Sequence, residues 1–537
     1  MQRIQNKIGV IIATSLNRID LLFSRAVKSV LEQNYKPDYL LIVDDNSDEK
    51  ISEEIEKTII LLKEKETFTQ VFYSKNLRNK GMSGTGAWNT GFDFYKSIMN
   101  ESDYVAILDD DDSWEPEYLE LCAFCIENEK PDQIIGFIKR TDCYEANIFT
   151  SQELCIEKFL TGNPGVQGSN MFFRLSTIIQ SCGFDETLAS CTDRDFMLNI
   201  LINCKNHKVS FLNKVLVNHF AAPGSVTYDP KKKIPGLDSF YKKYIDYYSW
   251  NTLNASLCRA EKLFNYPNGN NIRKLWKLVH EKAQNKKLVI GVAVHNSRIS
   301  IRKAIESILQ QKMVKQEIWI FLCDDDSCDD DSCDDWKNEI KDYLEDERII
   351  YWKVNFHNVS KVRNFISDFI KTYYGNISLI GRLDSDDEFA SDDVLFRIEK
   401  IHEETQADFI IAGNYLKLNN KILDKVNNPS KLLLNHDYLL NRLKEMADGT
   451  AENELPSCNL FMTPEHIRYY PDIKSAEDHF VVARILWNRE NLNVVIAENL
   501  LLTIYSLNGS VTSENKTENN YIDARKALYE EIKNYDR

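Results

Sequence analysis

Short apolar runs of strand length recur along the chain, and most of them end at acidic residues. Residues 8–12 form the first of these runs, and residues 40–43 form a second run that ends at Asp44 and Asp45. Between the two, residues 26–33 have the apolar spacing of an amphipathic helix. This order of strand, helix, strand and acidic turn is typical of α/β proteins that contain a parallel sheet.

The same order of elements occurs a second time in the chain. Residues 289–293 and 317–322 are apolar runs, residues 304–311 lie between them with a helical pattern, and Asp324 and Asp325 follow. Three further pairs of segments match in the same order: 105–112 with 379–387, 191–196 with 476–480, and Gly-Ser-Val-Thr at 224–227 with 509–512. The separation between matching segments stays between 275 and 285 residues, which indicates two duplicated domains.

The duplication predicts the domain organisation and the fold class. We expect α/β domains at residues 1–230 and 286–513, a helical connector at 231–285 and a C-terminal helix at 514–537. Because strands alternate with helices in each copy, each domain should contain a mostly parallel sheet that is covered on both faces.

Composition and charge exclude several classes of protein. Hydrophobic residues make up 43% of the 537 residues and charged residues 28%, as in globular proteins with sizeable cores. The net charge of −16 argues against a nucleic-acid partner, whose phosphates it would repel. No apolar run reaches 18 residues, and the first run lacks the cleavage site of a signal peptide. We therefore expect a cytoplasmic protein whose 12 cysteines are reduced.

The most unusual segment is residues 321–336, where the unit Cys-Asp-Asp-Asp-Ser occurs twice and a third Cys-Asp-Asp follows. A zinc site would require two close pairs of cysteines, and a calcium loop of the EF-hand type would require a central glycine and a terminal glutamate. The segment has neither pattern. Because ligands bind at the carboxyl ends of parallel strands, we expect Asp324 and Asp325 to contact a nucleotide and the other aspartates to form a solvated loop.

A second kind of acidic cluster ends the strands predicted at 105–108 and 379–383. Alternate residues of an extended segment point the same way, so Asp109 with Asp111, and Asp384 with Asp386, can converge on one ion. Mg²⁺ or Mn²⁺ is commonly held by one or two carboxylates together with substrate phosphate oxygens. The alternative is an acidic turn that caps the next helix, and the occurrence of the cluster in both copies favours the metal.

Taken together, these motifs resemble the family 2 inverting glycosyltransferases of the GT-A fold over nearly the whole length of each half. The ordered set in the first half is an Asn-Arg opening, Ser-Val-Leu-Glu-Gln, Val-Asp-Asp-Asn-Ser, an Asn-x-Gly segment, an Asp-x-Asp, Gly-Phe-Asp-Glu and an acid-rich helix start. Two such domains in one chain are similar to bacterial polysaccharide synthases that add two sugars in alternation.

The resemblance implies a role for each acidic residue. In the first half, Asp44 or Asp45 would bind the nucleotide base, Asp109 the ribose and Asp111 the metal, and Asp193 would be the general base. The matching positions in the second half are Asp324 or Asp325, Asp384, Asp386 and Asp478. Thr14, at the end of the first strand, is included among the donor-binding candidates.

Each half departs from the family pattern at a different place. The first half has Thr192 where the second has Glu477 before the base, and Trp88 where the second keeps Arg363. His219 precedes the first Gly-Ser-Val-Thr and is a further candidate metal ligand, with a hydrogen-bonded loop histidine as the alternative. The residue matched to His219 in the second half is Ile504.

The expected function is bifunctional transfer of sugars from nucleotide donors, most simply UDP-sugars, to a glycan or lipid-linked acceptor, with Mn²⁺ or Mg²⁺. One alternative has a single catalytic half and a second half that binds the acceptor or regulates. A sugar-phosphate nucleotidyltransferase and a non-catalytic sugar-binding protein are the others. Two basic clusters, Lys231-Lys-Lys233 and Arg273-Lys274 with Lys286-Lys287, either touch anionic lipid at the inner membrane face or form solvated helix surfaces.

Overall fold

A computed structural model describes residues 3–80, 83–141, 150–220, 230–280, 286–325, 336–451, 453–455, 459–473, 475–507 and 520–535. Within it the chain divides into two compact units, Met1–Arg273 and Lys274–Arg537. The division falls inside the segment predicted as a connector. Both Gly-Ser-Val-Thr sequences and residues 326–335 of the aspartate-rich segment lie outside the described residues.

The first unit alternates strands with helices from its beginning. Its strands are β1 (Ile8–Thr14), β2 (Tyr39–Asp44), β3 (Gln70–Lys75), β4 (Tyr104–Asp109), β5 (Ser113–Trp114), β6 (Gln133–Arg140), β7 (Met171–Arg174) and β8 (Val209–His219). Its helices are α1 (Ile19–Leu21), α2 (Lys28–Leu31), α3 (Glu49–Lys65), α4 (Thr85–Ile98), α5 (Tyr118–Glu129), α6 (Ile156–Thr161), α7 (Leu175–Ser181), α8 (Thr192–Asn203), α9 (Pro230–Lys243) and α10 (Trp250–Phe264). A π-helical segment, Leu22–Val27, joins α1 to α2, and α11 (Gly269–His280) spans the division between the units.

The second unit repeats this order. Its strands are β9 (Lys287–Val294), β10 (Glu317–Asp325), β11 (Ile349–Val354), β12 (Ile377–Asp384), β13 (Glu388–Phe389), β14 (Phe409–Leu418), β15 (Lys421–Asn427), β16 (Leu460–Met462) and β17 (Val494–Ser506). Its helices are α12 (Ile301–Leu309), α13 (Trp336–Glu339), α14 (Val359–Tyr373), α15 (Val394–Thr405), α16 (His436–Ala447), α17 (Glu477–Trp487) and α18 (Asn520–Lys533).

The two sheets have the same topology. The strand order is β3-β2-β1-β4-β7-β6-β8-β5 in the first unit and β11-β10-β9-β12-β16-β14-β17-β13 in the second, where β15 also pairs with β14. The first four strands of each order run parallel, and β7 or β16 is inserted antiparallel to its neighbours. The predicted α/β fold class with a mostly parallel sheet in each half is therefore confirmed.

The strands are apolar because helices cover them, and the packing of α4 and α14 shows how the two copies diverged. In the first unit a Cβ on Gly91 of α4 would lie 2.7 Å from the Ile11 side chain of β1. In the second unit a Cβ on Gly291 of β9 would approach the side chain of Ile366 on α14. Glycine and isoleucine have exchanged places at matching positions. In each unit one isoleucine side chain therefore fills the space between the strand and the helix, and the glycine opposite leaves room for it.

The structure corrects the interpretation of one basic cluster. Lys274 and Lys287 are buried, and the Lys274 ammonium donates to the backbone oxygens of Leu344, Asp346 and Ile349. These two lysines therefore belong neither to a lipid-binding surface nor to a solvated helix face. Among the described residues, no helix is both long and apolar enough to cross a membrane.

Candidate active sites

The carboxyl ends of β1, β2 and β4 bring the predicted donor-binding residues of the first half together. Thr14 pairs with Asp44 on β2, and Ala13 pairs with Asp109 on β4. Because the three strands are parallel neighbours, the acidic turns that follow them share one edge of the sheet.

Asp44 and Asp45 play different parts at this edge. Asp44 is buried, and its carboxylate accepts hydrogen bonds from the backbone and side-chain amides of Asn46 and from the Tyr73 hydroxyl. Asp45 is half-buried and accepts from the Asn76 side chain over 2.6 Å. Asp44 thus fixes the turn, and Asp45 is the better placed of the two for a nucleotide base.

Arg18 of the Asn-Arg opening lies against the acidic cluster. Its guanidinium forms ion pairs with Asp110 (3.1 Å) and Asp111 (2.7 Å), and Asp110 also accepts from the Thr14 hydroxyl. Burial raises the pKa of Asp111, and Arg18 opposes that rise. The buried Thr14 side chain therefore contributes to the site by orienting Asp110, and it is not exposed for direct contact with a ligand.

His219 and Asp112 form the opposite side of the cluster. His219 Nδ1 lies 2.9 Å from Oδ2 of the fully buried Asp112, whose other oxygen accepts from the backbone N–H of Phe220. Burial opposes protonation of His219, but the hydrogen bond and charge of Asp112 outweigh it and raise the pKa of His219. A histidine held by a carboxylate on one ring nitrogen can offer the other nitrogen to a metal. Asp111 and His219 therefore fit a divalent ion.

The predicted base, Asp193, is the second residue of α8, directly after Cys191 and Thr192. Cys191 has a left-handed backbone (φ 64), which turns the chain into the helix. Burial raises the pKa of Asp193 to about 6, and the positive charges of His219 and Lys233 limit the rise. A carboxylate with this pKa is ionised at neutral pH and remains basic enough to accept a proton.

Asp109 lies among several other carboxylates. Burial and the charges of Asp112, Asp111, Asp193 and Asp110 raise its pKa well above that of a free carboxyl. The first half thus gathers negative charge that a bound cation would stabilise.

In the second half, Asp325 is held by backbone amides. Its carboxylate accepts from the N–H groups of Phe356, His357 and Asn358, at 2.6, 3.0 and 3.0 Å. Both aspartates are buried, but Asp325 is among the residues that line a cleft of about 1350 Å³ at the carboxyl end of the sheet, and Asp324 is not. Of the two aspartates, Asp325 is the one that faces the cleft.

Two buried arginines connect the remaining acids of this cleft. Arg363 of α14 contacts Glu477, Asp478 and Asp384, and Arg382 of β12 donates to Asp478 over 2.6 Å and contacts Asp384 at 3.3 Å. Arg363, Arg382 and Glu477 correspond in the first half to Trp88, Ile107 and Thr192. None of these three residues carries a charge. The predicted base of the second half, Asp478, is therefore paired with two guanidinium groups, whereas no guanidinium group of the described residues is paired with Asp193.

Asp386 differs from its neighbours because it is exposed to the cleft. The surrounding protein atoms and the negative charge of Asp384 raise the pKa of Asp386 to about 6. One exposed carboxylate fits a divalent ion that also binds substrate phosphates. No group of three or more His, Cys, Asp or Glu side chains in the described part of the chain is arranged as a metal site by itself.

The match of His219 to Ile504 is wrong. Ser113 pairs with Asn218 in the first sheet, and its counterpart Glu388 pairs with Ile504 in the second. Ile504 therefore corresponds to Asn218, and Tyr505 corresponds to His219. The conclusion that the second half lacks this histidine still holds.

Several residues of the two sites were not found from the sequence: Arg382, Lys233, Tyr521 and Arg525. Arg382 carried a usable signal, because it is a charged residue inside an apolar strand. The others lie on helices that follow segments outside the described residues, and nothing in the local sequence places them beside a predicted general base.

Comparison with known proteins agrees with this geometry. The Glycosyl transferase family 2 model matches residues 10–183 and 289–450, more than half of the chain and both halves of it. The chain belongs to this family and is a glycosyltransferase.

Individual relatives are more distant. Succinoglycan biosynthesis protein ExoW of Rhizobium meliloti (strain 1021) is 33% identical over 98 residues, which are 18% of this chain and 27% of that protein. The S. aureus TarS 1-349 complex with UDP-GlcNAc is 16% identical, with a TM-score of 0.34, over 51% of this chain and 72% of that one. The mannosyltransferase PcManGT from Pyrobaculum calidifontis, with GDP-Man and Mn²⁺, is 14% identical, with a TM-score of 0.33, over 48% and 75%.

Proposed function

We propose that the chain is a bifunctional inverting glycosyltransferase with one site in each half. It would transfer sugars from nucleoside-diphosphate donors to a saccharide or lipid-linked saccharide during synthesis of a surface polysaccharide. The observation that carries the proposal is the repeated placement of Asp109, Asp111 and Asp193, and of Asp384, Asp386 and Asp478, at the ends of matching strands and helices.

The proposed reaction needs a proton acceptor in each site. Asp193 or Asp478 would take the proton of the acceptor hydroxyl while its oxygen forms a bond to the anomeric carbon. The bond from that carbon to the diphosphate breaks, and the diphosphate leaves with the electron pair. Attack opposite the leaving group inverts the anomeric centre.

The donor would lie between the strand ends and the acidic cluster. Asp45 and Asp325 are candidates to accept the imide N–H of uracil, so UDP-sugars are the first donors to test. Asp109 and Asp384 would hold the ribose. A Mn²⁺ or Mg²⁺ ion, held by Asp111 with His219 and by Asp386, would supply positive charge to the diphosphate.

The proposed acceptor is a glycan or a lipid-linked glycan. The name of ExoW, succinoglycan biosynthesis protein, supports a glycan product. Peripheral contact with the inner face of a membrane would involve the helix that begins at Pro230, where Lys231 is exposed. A location at that face would place the enzyme beside lipid-linked acceptors.

The test is a screen of UDP- and GDP-sugars with Mn²⁺, in which release of the nucleoside diphosphate is measured. The variant carrying both Asp193→Asn and Asp478→Asn is the control. Consumption of a donor by the wild type and not by this control supports the proposal. Equal consumption by both proteins, or none with any donor, contradicts it.

A second candidate has catalysis in the first half alone. It is favoured by the hydrogen bond from Arg382 to Asp478, because a carboxylate held by guanidinium groups is a weaker proton acceptor. The nucleotidyltransferase hypothesis is not retained, since the chain belongs to a glycosyltransferase family.

A further inference from the structure

The C-terminal helix α18 forms one wall of the cleft in the second half. It packs against α16 and α17, and its residues Tyr521 and Arg525 line the cleft together with Asp478 and His479 of α17. Burial raises the pKa of Tyr521, and the negative charges of Asp478 and Glu477 add to that rise.

Arg525 has a positive charge without a carboxylate partner among the described residues. Its terminal nitrogens donate to the backbone oxygen of Met446 (3.3 Å) and to the Tyr521 hydroxyl (2.6 Å). Its buried Nε–H has no acceptor, and each terminal nitrogen has a second N–H to offer. Burial lowers the pKa of Arg525, and only Tyr521 opposes this effect. A half-buried guanidinium without a counter-charge is uncommon in a chain of net charge −16.

His479 adds a second polar group without a partner. The residue is 4% exposed, its Nδ1 has no hydrogen bond, and its ring lies edge-on to Tyr521 with 5.8 Å between centroids. Burial and the charge of Arg525 lower the pKa of His479 to about 3, so its ring stays neutral and can donate one hydrogen bond.

The first half has a comparable cation on the helix that follows its own Gly-Ser-Val-Thr segment. Lys233 of α9 lies near Asp193, whose pKa it lowers, and its ammonium is 3.9 Å from the Cys191 sulfur and 4.6 Å from the centre of the Phe264 ring. No carboxylate of the described residues pairs with it. Among the described residues, both halves therefore have a cation without a carboxylate partner near the predicted base.

We propose that Arg525, with Tyr521 and His479, binds a phosphate group of the acceptor next to Asp478. The inference rests on the proposed function, which makes Asp478 the base that an acceptor must approach. Several free N–H groups suit a ligand with three acceptor oxygens, and arginine binds phosphate in a fork. Repulsion by the nearby acids is limited, because Arg363 and Arg382 already pair with Glu477 and Asp478.

Binding of inorganic phosphate to the full chain, measured by calorimetry with EDTA present, tests the proposal. Every protein carries Lys233→Met, so that the first half does not contribute. Arg525→Met should weaken phosphate binding at least tenfold, Arg525→Lys should retain part of it, and Lys526→Met, an exposed neighbour on the same helix, should leave it unchanged. Thermal unfolding of each variant shows whether the fold is intact.

Two further arms separate the sources of the phosphate. If saturating UDP abolishes phosphate binding, the group at Arg525 belongs to the donor diphosphate and the proposal is wrong. Glucose 1-phosphate and a short polyprenyl phosphate in micelles then distinguish a soluble from a lipid-linked acceptor, and dependence of either on Arg525 supports the proposal. Phosphate binding that is unchanged in a folded Arg525→Met variant contradicts it.

The outcome is independent of the test of the proposed function. Phosphate binding that depends on Arg525, in a chain that consumes no nucleotide sugar, would leave the anion site standing without the transferase. Donor consumption without phosphate binding that depends on Arg525 would support the transferase and contradict the anion site.

Discussion

Asn364 holds Tyr470 by two reciprocal hydrogen bonds, from its side-chain amide to the backbone oxygen (2.9 Å) and from the backbone N–H to its side-chain oxygen (2.7 Å). Asn89 and Phe184 form the same pair of bonds in the first half, both at 2.9 Å. In each half the asparagine lies on the helix that follows the third strand, α4 or α14, and fixes the loop that leads to the helix of the predicted base, α8 or α17. This contact explains why both halves keep the asparagine while its neighbours Trp88 and Arg363 differ.

Asn364→Ala should therefore lower transfer by the second half and destabilise its unit. The backbone groups of Tyr470 lose both partners, which costs about 1–3 kcal/mol for each buried group left unsatisfied. Thermal unfolding and product formation are the measurements. Asn441→Ala is the control, because this exposed side chain donates to Glu445 on its own helix. Equal behaviour of the two variants would refute the role given to Asn364.

The buried ion pair of Arg363 and Glu477 predicts that the effect of replacing Arg363 on stability depends on whether Glu477 is present. Arg363→Met leaves the buried Glu477 without its guanidinium and should destabilise the second unit by about 3–5 kcal/mol. Adding Glu477→Thr, the residue of the first half, should recover part of that loss. Calorimetric unfolding measures both. Lys361→Met, which breaks an exposed pair with Asp472, should cost about 1 kcal/mol or less.

Proton transfer in the first half should depend on pH through Asp193. The base must be ionised, so transfer should fall as the pH decreases through the pKa of Asp193, about 6. Lys233→Met removes a positive charge that favours the ionised form, so the acid limb should move to higher pH. The rate is followed from pH 5 to 8 in an Asp478→Asn background, and Lys232→Met is the control. An acid limb that stays in place or moves to lower pH would contradict the hypothesis that Asp193 is the base and that Lys233 favours its ionised form.

Asp325→Ala should destabilise the loop after β11 as well as weaken donor binding. Three backbone N–H groups lose their acceptor, at a cost on the order of 1–3 kcal/mol each where they stay dry. Asp325→Asn keeps one acceptor oxygen and should be milder. UDP binding and thermal unfolding are measured together, with the exposed Asp392→Ala as control. Loss of UDP binding without any change in unfolding would assign Asp325 to the donor alone.

The sequence was sufficient to predict the duplication, the strand ends and the acidic residues gathered there, because these depend on local patterns of apolar and acidic residues. Contacts between distant segments could not be predicted from local patterns. The hydrogen bond from Arg382 to Asp478 joins residues 96 positions apart in the chain, and the one from Arg18 to Asp111 joins residues 93 positions apart. The error at Ile504 has a related cause. The pairing of β14 with β17 shifts register near Gly413, and a shift of one residue in a strand moves a side chain to the opposite face.

The central claim is that each half catalyses its own transfer. The most direct measurement follows product masses over time for Asp193→Asn and Asp478→Asn, with the wild type beside them. Removal of a general base typically lowers the rate by about 10²- to 10⁴-fold. If the halves add different sugars in alternation, each variant should stop after one addition, and a mixture of the two should restore extension. Extension by Asp478→Asn at the wild-type rate would contradict the claim and leave the first half as the only catalyst.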